Sequence, residues 1–177
     1  SEVEKVITEV EELVREYRKR LEDKRREAKK RVDEYEERLK RMEDEVRKLL
    51  EEIERRIRKD GGASEKTEDE IRRLLEELKR RVEKLIEETK RLNEEIDDES
   101  RREMEELRER LEEIADKSIS SKDALRRAEE KLKKLIKENK EINDEINERS
   151  KELNERSKEV LKKIEEDLRR LIEEVRR

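Results

Sequence analysis

The chain has 177 residues, of which 62% are charged and 28% are hydrophobic, and it contains no histidine, cysteine or proline. The lack of imidazoles and thiols excludes the commonest general bases, nucleophiles and zinc ligands. The net charge of −5 argues against nucleic acid as a partner. No apolar run is long enough to predict a membrane span or a signal peptide.

A charged fraction this high is typical of disordered chains, but the spacing of the hydrophobic residues indicates helices instead. A hydrophobic share of 28% is close to two positions in every seven, which is what one apolar seam along a helix requires. Glutamate, lysine, arginine and leucine dominate the chain, and all four are strong helix formers. We therefore expect long helices with one apolar face each.

The first predicted helix covers residues 2–60. Ser1 and Glu4 have the spacing of a capping box, and Gly61-Gly62 ends the segment because glycine takes the left-handed conformation without steric cost. The seam recurs at intervals of three and four residues, as one face of a helix demands. Its members are Val3, Ile7, Val10, Val14, Tyr17, Leu21, Lys24, Ala28, Val32, Tyr35, Leu39, Met42, Val46, Leu49, Ile53 and Ile57.

The second predicted helix covers residues 67–117, and Thr67 with Glu70 forms its capping box. The same spacing of three and four residues defines its seam. The members are Ile71, Leu75, Leu78, Val82, Leu85, Thr89, Leu92, Ile96, Ser100, Met104, Leu107, Leu111 and Ile114.

The third predicted helix covers residues 121–177, with Ser120 and Asp123 as a cap. Its seam contains more polar residues than the other two seams. The members are Leu125, Ala128, Leu132, Leu135, Asn139, Ile142, Ile146, Ser150, Leu153, Ser157, Val160, Ile164, Leu168, Leu171 and Val175.

Three helices of similar length with short connections predict an all-α, antiparallel three-helix bundle that forms a single domain over residues 1–177. The mean seam spacing of about 3.6 residues matches a nearly straight bundle rather than a supercoiled one. Folding the hairpins back places residue i of the first helix beside residue about 125 − i of the second and about 113 + i of the third. A basic stretch at 15–31 then faces acidic stretches at 94–99 and 141–148.

Three features could carry chemistry, and each has a simpler structural interpretation. The chain has 57 aspartates and glutamates, but none lies in the seams, so we expect solvated faces rather than metal ligands. The basic stretch 24–31 could bind phosphates or an anionic surface, but it lacks interleaved aromatic residues. Gly61-Gly62 has none of the surrounding pattern of a phosphate-binding loop. We predict no catalytic residue, metal or cofactor, and no enzyme.

Polar residues inside the apolar seams are the most informative feature of the sequence. Buried polar groups need hydrogen-bond partners, and where they are satisfied they specify helix register. In the predicted register, two layers form across the helices: Lys24 with Ser100 and Asn139, and Tyr35 with Thr89 and Ser150. The Lys24 stem could instead lie along the core edge with its ammonium group in water.

Other polar positions accompany these layers. Ser157 is a further candidate for burial in the third helix. A second stripe of Asn143, Asn147 and Asn154 flanks the seam, and the sequence leaves open whether it faces the core or the solvent. Tyr17, like the other tyrosine, is expected in the core, where its hydroxyl needs a polar neighbour.

The near-equal helices, uniform Glu/Lys/Arg surfaces, capping pairs and polar core positions resemble de novo designed helical bundles with buried hydrogen-bond networks. That resemblance implies a stable structural scaffold without a natural activity. The alternative is an interaction module that binds a partner helix or protein through one exposed face. Each helix has one apolar seam, and packing into a single core buries it. No apolar face remains for a second interface, so we expect a monomer that needs no partner. We also expect a soluble protein, of the kind produced in the cytosol of an expression host.

Overall fold

The computed structural model describes residues 2–60, 65–117 and 122–176, and every one of these residues is helical. Helix α1 spans Glu2–Asp60, α2 spans Glu65–Lys117 and α3 spans Lys122–Arg176. The three helices pack against one another through their apolar faces. The predicted all-α three-helix bundle is therefore confirmed.

The described helix ends lie within one residue of the predicted ends except at the start of α2. This helix begins at Glu65, two residues before the predicted cap, so Thr67 lies inside the first turn. Glu65 and Glu68 place negative charge in that turn, where the partial positive charge of a helix N-terminus favours it. The predicted caps that involve Ser1, Gly61-Gly62 and Ser120 lie outside the described residues.

Buried hydrophobic residues follow the predicted seams, with one clear exception. Leu49 is 38% exposed, whereas the adjacent Leu50 is half-buried. The seam advances from Val46 to Ile53 in two steps. Three residues followed by four selects Leu49, four followed by three selects Leu50, and both orders satisfy the helical period. Both intermediate positions are leucines, so the sequence does not distinguish the two orders.

The described residues of 1–31 and 91–148 form one compact unit, which we call the first unit. Segments of all three helices contribute to its core. Burying one leucine or valine side chain contributes roughly 1.5–3 kcal/mol, so this cluster is the main stabilising element of the unit. The cluster contains Val10, Val14, Tyr17, Leu21, Met104, Leu107, Leu111, Ala128, Leu132 and Leu135.

The described residues of 32–90 and 149–176 form the second unit, again from all three helices. Its core is built from the same residue types. The buried hydrophobic members are Val32, Tyr35, Leu39, Met42, Val46, Ile53, Ile71, Leu78, Val82, Leu85, Leu153, Ile164 and Leu168.

Ion pairs between α1 and α2 report the alignment of these helices within each unit. The first unit contains Arg31–Glu95, and the second unit contains Arg38–Glu88, Arg81–Glu45 and Arg56–Glu70. In each pair the two residue numbers add to 126, as antiparallel helices require. The value predicted by folding the hairpins back was about 125, which lies within one residue of this sum.

Helices α1 and α3 run parallel, because a residue farther along α1 pairs with a residue farther along α3. In the first unit, Glu11–Lys131 and Arg25–Glu145 are each separated by 120 residues. In the second unit, Arg149 lies 116 residues from its partner Asp33 and 113 residues from its partner Glu36, against a predicted offset of about 113.

Candidate functional site

The polar side chains inside the two cores are the candidate functional groups of this protein. In the part of the chain that the structure describes, no cluster of acidic side chains is arranged to hold a metal ion. The described helices also contain no apolar stretch that could cross a membrane. The interior polar groups of each unit are therefore the side chains that could bind a ligand or form specific hydrogen bonds.

Ser100 and Asn139 line a recess in the core of the first unit. Both are almost fully buried, with 5% and 9% of their surface exposed. The recess has a volume of about 70 Å³, and Lys24 stands at its edge with Ala28. The structure thus brings together all three members of one predicted layer, but it gives Ser100 and Asn139 no side-chain hydrogen bond to any described residue.

Lys24 is half-buried, and its ammonium group turns away from that layer toward two carboxylates. Its Nζ lies 2.7 Å from Glu103 and 3.4 Å from Glu99. A long aliphatic stem allows lysine to cover apolar surface while its charge reaches a distant partner. Glu103 was not predicted, although it follows Ser100 by three residues and so lies on the same stripe of α2.

Tyr17 is fully buried in the first unit, and two guanidinium groups lie over its ring. The Arg20 and Arg110 carbons are 4.7 and 5.7 Å from the ring centroid, within range of cation–π attraction. The hydroxyl oxygen has no hydrogen-bond partner of good geometry among the described residues. Burial, followed by the nearby Glu106 carboxylate, raises the pKa of Tyr17 above its ordinary value of 10.0.

Thr89 is the best-connected polar residue in the second unit. Its Oγ1 lies 2.8 Å from the carbonyl oxygen of Ile86 and 2.7 Å from Oδ1 of Asn154 on α3. A hydroxyl has one proton, so it donates to one of these oxygens at a time. Turning the Asn154 amide over lets its NH₂ group donate to Thr89 while Thr89 donates to Ile86, which satisfies both contacts.

The remaining predicted residues of the second unit are buried without joining this cross-helix bond. Ser157 donates to the Leu153 carbonyl of its own helix at 2.8 Å. Ser150 is fully enclosed, and its hydroxyl has no partner among the described residues. Tyr35 is 8% exposed, with the Arg38 guanidinium 5.7 Å from its ring centroid. The partner of Thr89 is therefore Asn154, one turn beyond the predicted Ser150.

The asparagine stripe of α3 lies at the boundary of the core. Asn143, Asn147 and Asn154 are all half-buried. Asn143 lines the recess of the first unit, and the Asn147 Oδ1 atom is buried without a partner in the described residues. The stripe therefore faces the core margin in both units rather than forming an exposed polar face.

Arg149 is a second polar residue that the sequence did not single out. In the second unit, its Nη2 lies 2.8 Å from Asp33 and 3.1 Å from Glu36. The hydrogen bond with Asp33 is the main reason that the pKa of Arg149 is raised. The signal in the sequence is an arginine that directly follows the acidic stretch 141–148 of α3.

The surface of both units is charged and offers little for apolar docking. Among the large hydrophobic side chains of the described residues, only Leu49 is exposed. Most ion pairs are exposed on both sides, and such pairs contribute only about 0.2–1 kcal/mol each. The interior hydroxyls of Thr89 and Ser157 bond to carbonyl oxygens rather than to a base, so their geometry provides structure and not an activated nucleophile.

Comparison with known proteins gives a structural match without a sequence family. No protein-family model matches the chain, and no curated protein matches it at a significant level. A solved structure described as a computationally designed three helix bundle is 23% identical, and the match covers 98% of this chain and 86% of that one, with a TM-score of 0.42. The architecture itself is established by the three helices described above.

Proposed function

We propose that this protein is a designed structural scaffold in which the buried Thr89–Asn154 hydrogen bond and the cross-helix ion pairs set the alignment of the helices. The observation that carries the proposal is that almost every large hydrophobic side chain of the described residues is buried or half-buried. Only Leu49 is exposed among them in the described ranges. Recognition of a protein partner usually requires a buried apolar or aromatic anchor, and the charged faces supply none.

The charge pattern supports the same proposal. Cross-helix ion pairs recur along α1 and α2 with a fixed alignment in each unit, and a hydrogen bond joins α2 to α3 at Thr89 and Asn154. These interactions define how the helices align rather than forming a reactive centre. A scaffold needs this kind of specificity, whereas an enzyme needs an acid, a base or a metal placed against a substrate cavity.

The proposal predicts a monomer, and light scattering tests it directly. We expect a mass of 21.8 kDa at both low and high micromolar concentration. A Leu49→Glu variant is the matched control because it removes the exposed leucine without touching either core. A larger mass that rises with concentration and returns to the monomer value in Leu49→Glu would instead identify an association surface.

The alternative of a helix-exchange module is tested with a labelled synthetic peptide of residues 122–176. A static scaffold leaves this peptide free after incubation with the native chain, because its own α3 already covers the core. The positive control is a sample unfolded and refolded together with the peptide, in which incorporation is possible. Saturable binding to the native chain would overturn the scaffold proposal.

A further inference from the structure

The recess in the first unit has the properties of a small binding site. It lies between all three helices, and its volume is about 70 Å³. A cavity needs about 10–15 Å³ on this measure to hold one water molecule, so the space is ample for a small solute. Apolar walls and polar groups alternate around it. The aliphatic side chains are Leu21, Ala28, Leu92, Ile96, Ile142 and Ile146.

Two side chains in this recess are nine-tenths buried and have no protein partner. Ser100 is 5% exposed and Asn139 is 9% exposed, and neither bonds to a described residue. An amide has two donors and an acceptor, and a hydroxyl has one donor and two acceptor positions. A molecule in the recess can therefore form hydrogen bonds with both side chains while its apolar part contacts the aliphatic walls.

The charged groups around the recess are already paired, which points to a neutral ligand. Lys24 contacts Glu103, Arg25 contacts Glu145 at 3.5 Å, and Arg31 contacts Glu95 at 3.0 Å. Lys24 also contacts Glu99 at 3.4 Å, and Glu27 adds a negative charge at the rim. An anion would have to displace a carboxylate from one of these cations, and a cation would have to displace one of the three basic side chains from its carboxylate.

We propose that the recess binds a small neutral primary amide. The side chain of Asn139 presents its donor and acceptor side by side, so it can form a pair of hydrogen bonds with another primary amide. Ser100 then bonds to a remaining donor or acceptor, and Ala28 leaves room for a methyl group. An apolar cavity of about 150 Å³ accepts benzene, so a recess of half that volume fits a molecule of about four heavy atoms such as acetamide.

Titration with acetamide, followed by the side-chain amide resonances of Asn139 in NMR spectra, tests this site. We expect saturable shifts confined to the lining residues, with a Kd on the order of 1–10 mM, because so few heavy atoms limit the affinity. Acetate has the same shape and a negative charge, and it should bind at least about fivefold more weakly. Shifts that grow linearly with acetamide or spread over the whole chain would overturn the proposal.

Two variants locate the binding. Asn139→Leu removes the amide and fills the recess, and Ser100→Ala removes the hydroxyl alone. Circular dichroism first establishes that both variants fold. We expect Asn139→Leu to abolish the saturable shifts and Ser100→Ala to weaken binding several-fold, as monitored on backbone amides that line the recess. Ser157→Ala in the second unit is the control that leaves binding unchanged.

Three other results would contradict amide binding in the recess. Unchanged binding in Asn139→Leu would show that acetamide occupies another place. Equal affinity for acetate would show that the site selects size and not a neutral amide. If magnetization transfer shows water at Asn139 in the presence of saturating acetamide, then the recess is a hydration site and the amide proposal is wrong.

Discussion

The two units bury the same kinds of polar residue, but they satisfy them differently. In the second unit, Thr89 reaches Asn154 on the neighbouring helix and Ser157 bonds to its own backbone, while the enclosed Ser150 hydroxyl has no partner among the described residues. In the first unit, Ser100 and Asn139 face a recess, and Lys24 bonds outward to Glu103. The fate of a buried polar group therefore depends on whether a complementary group stands within reach, and not on its residue type or its place in the seam.

The difference has an energetic meaning. A buried hydrogen bond contributes about 0.5–1.5 kcal/mol, whereas an unsatisfied buried group costs about 1–3 kcal/mol. The Thr89 contact thus favours one alignment of α2 and α3 by its presence. The Ser100 and Asn139 positions favour no alignment through direct bonds, and they keep space open inside the core.

The strongest test of this comparison places leucine at one buried serine in each unit. Ser150 is fully enclosed, so we expect Ser150→Leu to overpack the second unit and lower stability by about 1–3 kcal/mol. Ser100→Leu can grow into the recess, so its stability should stay within about 0.5 kcal/mol or rise. Chemical denaturation of both variants measures the effect, and equal losses would show that the recess is not usable space.

A smaller effect is expected from the hydrogen bond of the second unit. Thr89→Val keeps the shape of the side chain and removes the hydroxyl, which leaves the Asn154 amide without its partner. We expect a loss of about 1 kcal/mol in the free energy of unfolding. Ser157→Ala is the control, because its hydroxyl bonds only to its own helix, and it should change stability by less than about 0.5 kcal/mol. Similar values for both variants would contradict a special role for the cross-helix bond.

The smallest effect at neutral pH concerns Tyr17, and it grows in alkali. The raised pKa means that the folded state holds the phenol proton more tightly than the unfolded state. This stabilisation is complete below about pH 10 and is lost as the pH rises through the folded-state pKa. The stability of the parent chain should therefore fall relative to Tyr17→Phe above about pH 10. Urea denaturation at several pH values measures the gap, with Tyr35→Phe as the second reference, and a constant gap would refute the prediction.

Much of the fold could be predicted because its determinants are local or periodic. Intervals of three and four residues predict the helices. The short connection between two helices of similar length predicts the α1–α2 alignment, and the basic and acidic stretches support it. The step at Leu49 and Leu50 was ambiguous because either leucine fits the helical period. The start of α2 was predicted two residues late. Thr67 is a preferred N-cap residue type and has Glu70 at capping-box spacing, whereas the helix already begins at Glu65.

The sequence predicted the position of the interior polar residues along the helices, but it did not predict their hydrogen-bond and ion-pair partners. The sequence brought Lys24, Ser100 and Asn139 to one level, and these residues do line one recess. It did not predict that Lys24 would reach Glu103, because a long side chain has many rotamers and selects the nearest available charge. It also did not predict that Thr89 would bond to Asn154 rather than to Ser150. These two residues lie one helical turn apart, and which of them Thr89 reaches depends on the direction of its side chain and not on residue spacing.

The paired charges along α1 and α2 have a consequence for how the hairpin avoids the wrong alignment. A slide of one heptad would leave apolar residues facing apolar residues, because the seam repeats. The charges do not repeat in the same way. A slide in one direction sets Arg38 against Arg81, and a slide in the other sets Arg31 against Arg102 and Glu45 against Glu88. Like charges at such positions are unfavourable by only a few tenths of a kcal/mol each. The repeating pattern therefore makes the hairpin stable, while the non-repeating pattern decides which of several nearly equal hairpins forms.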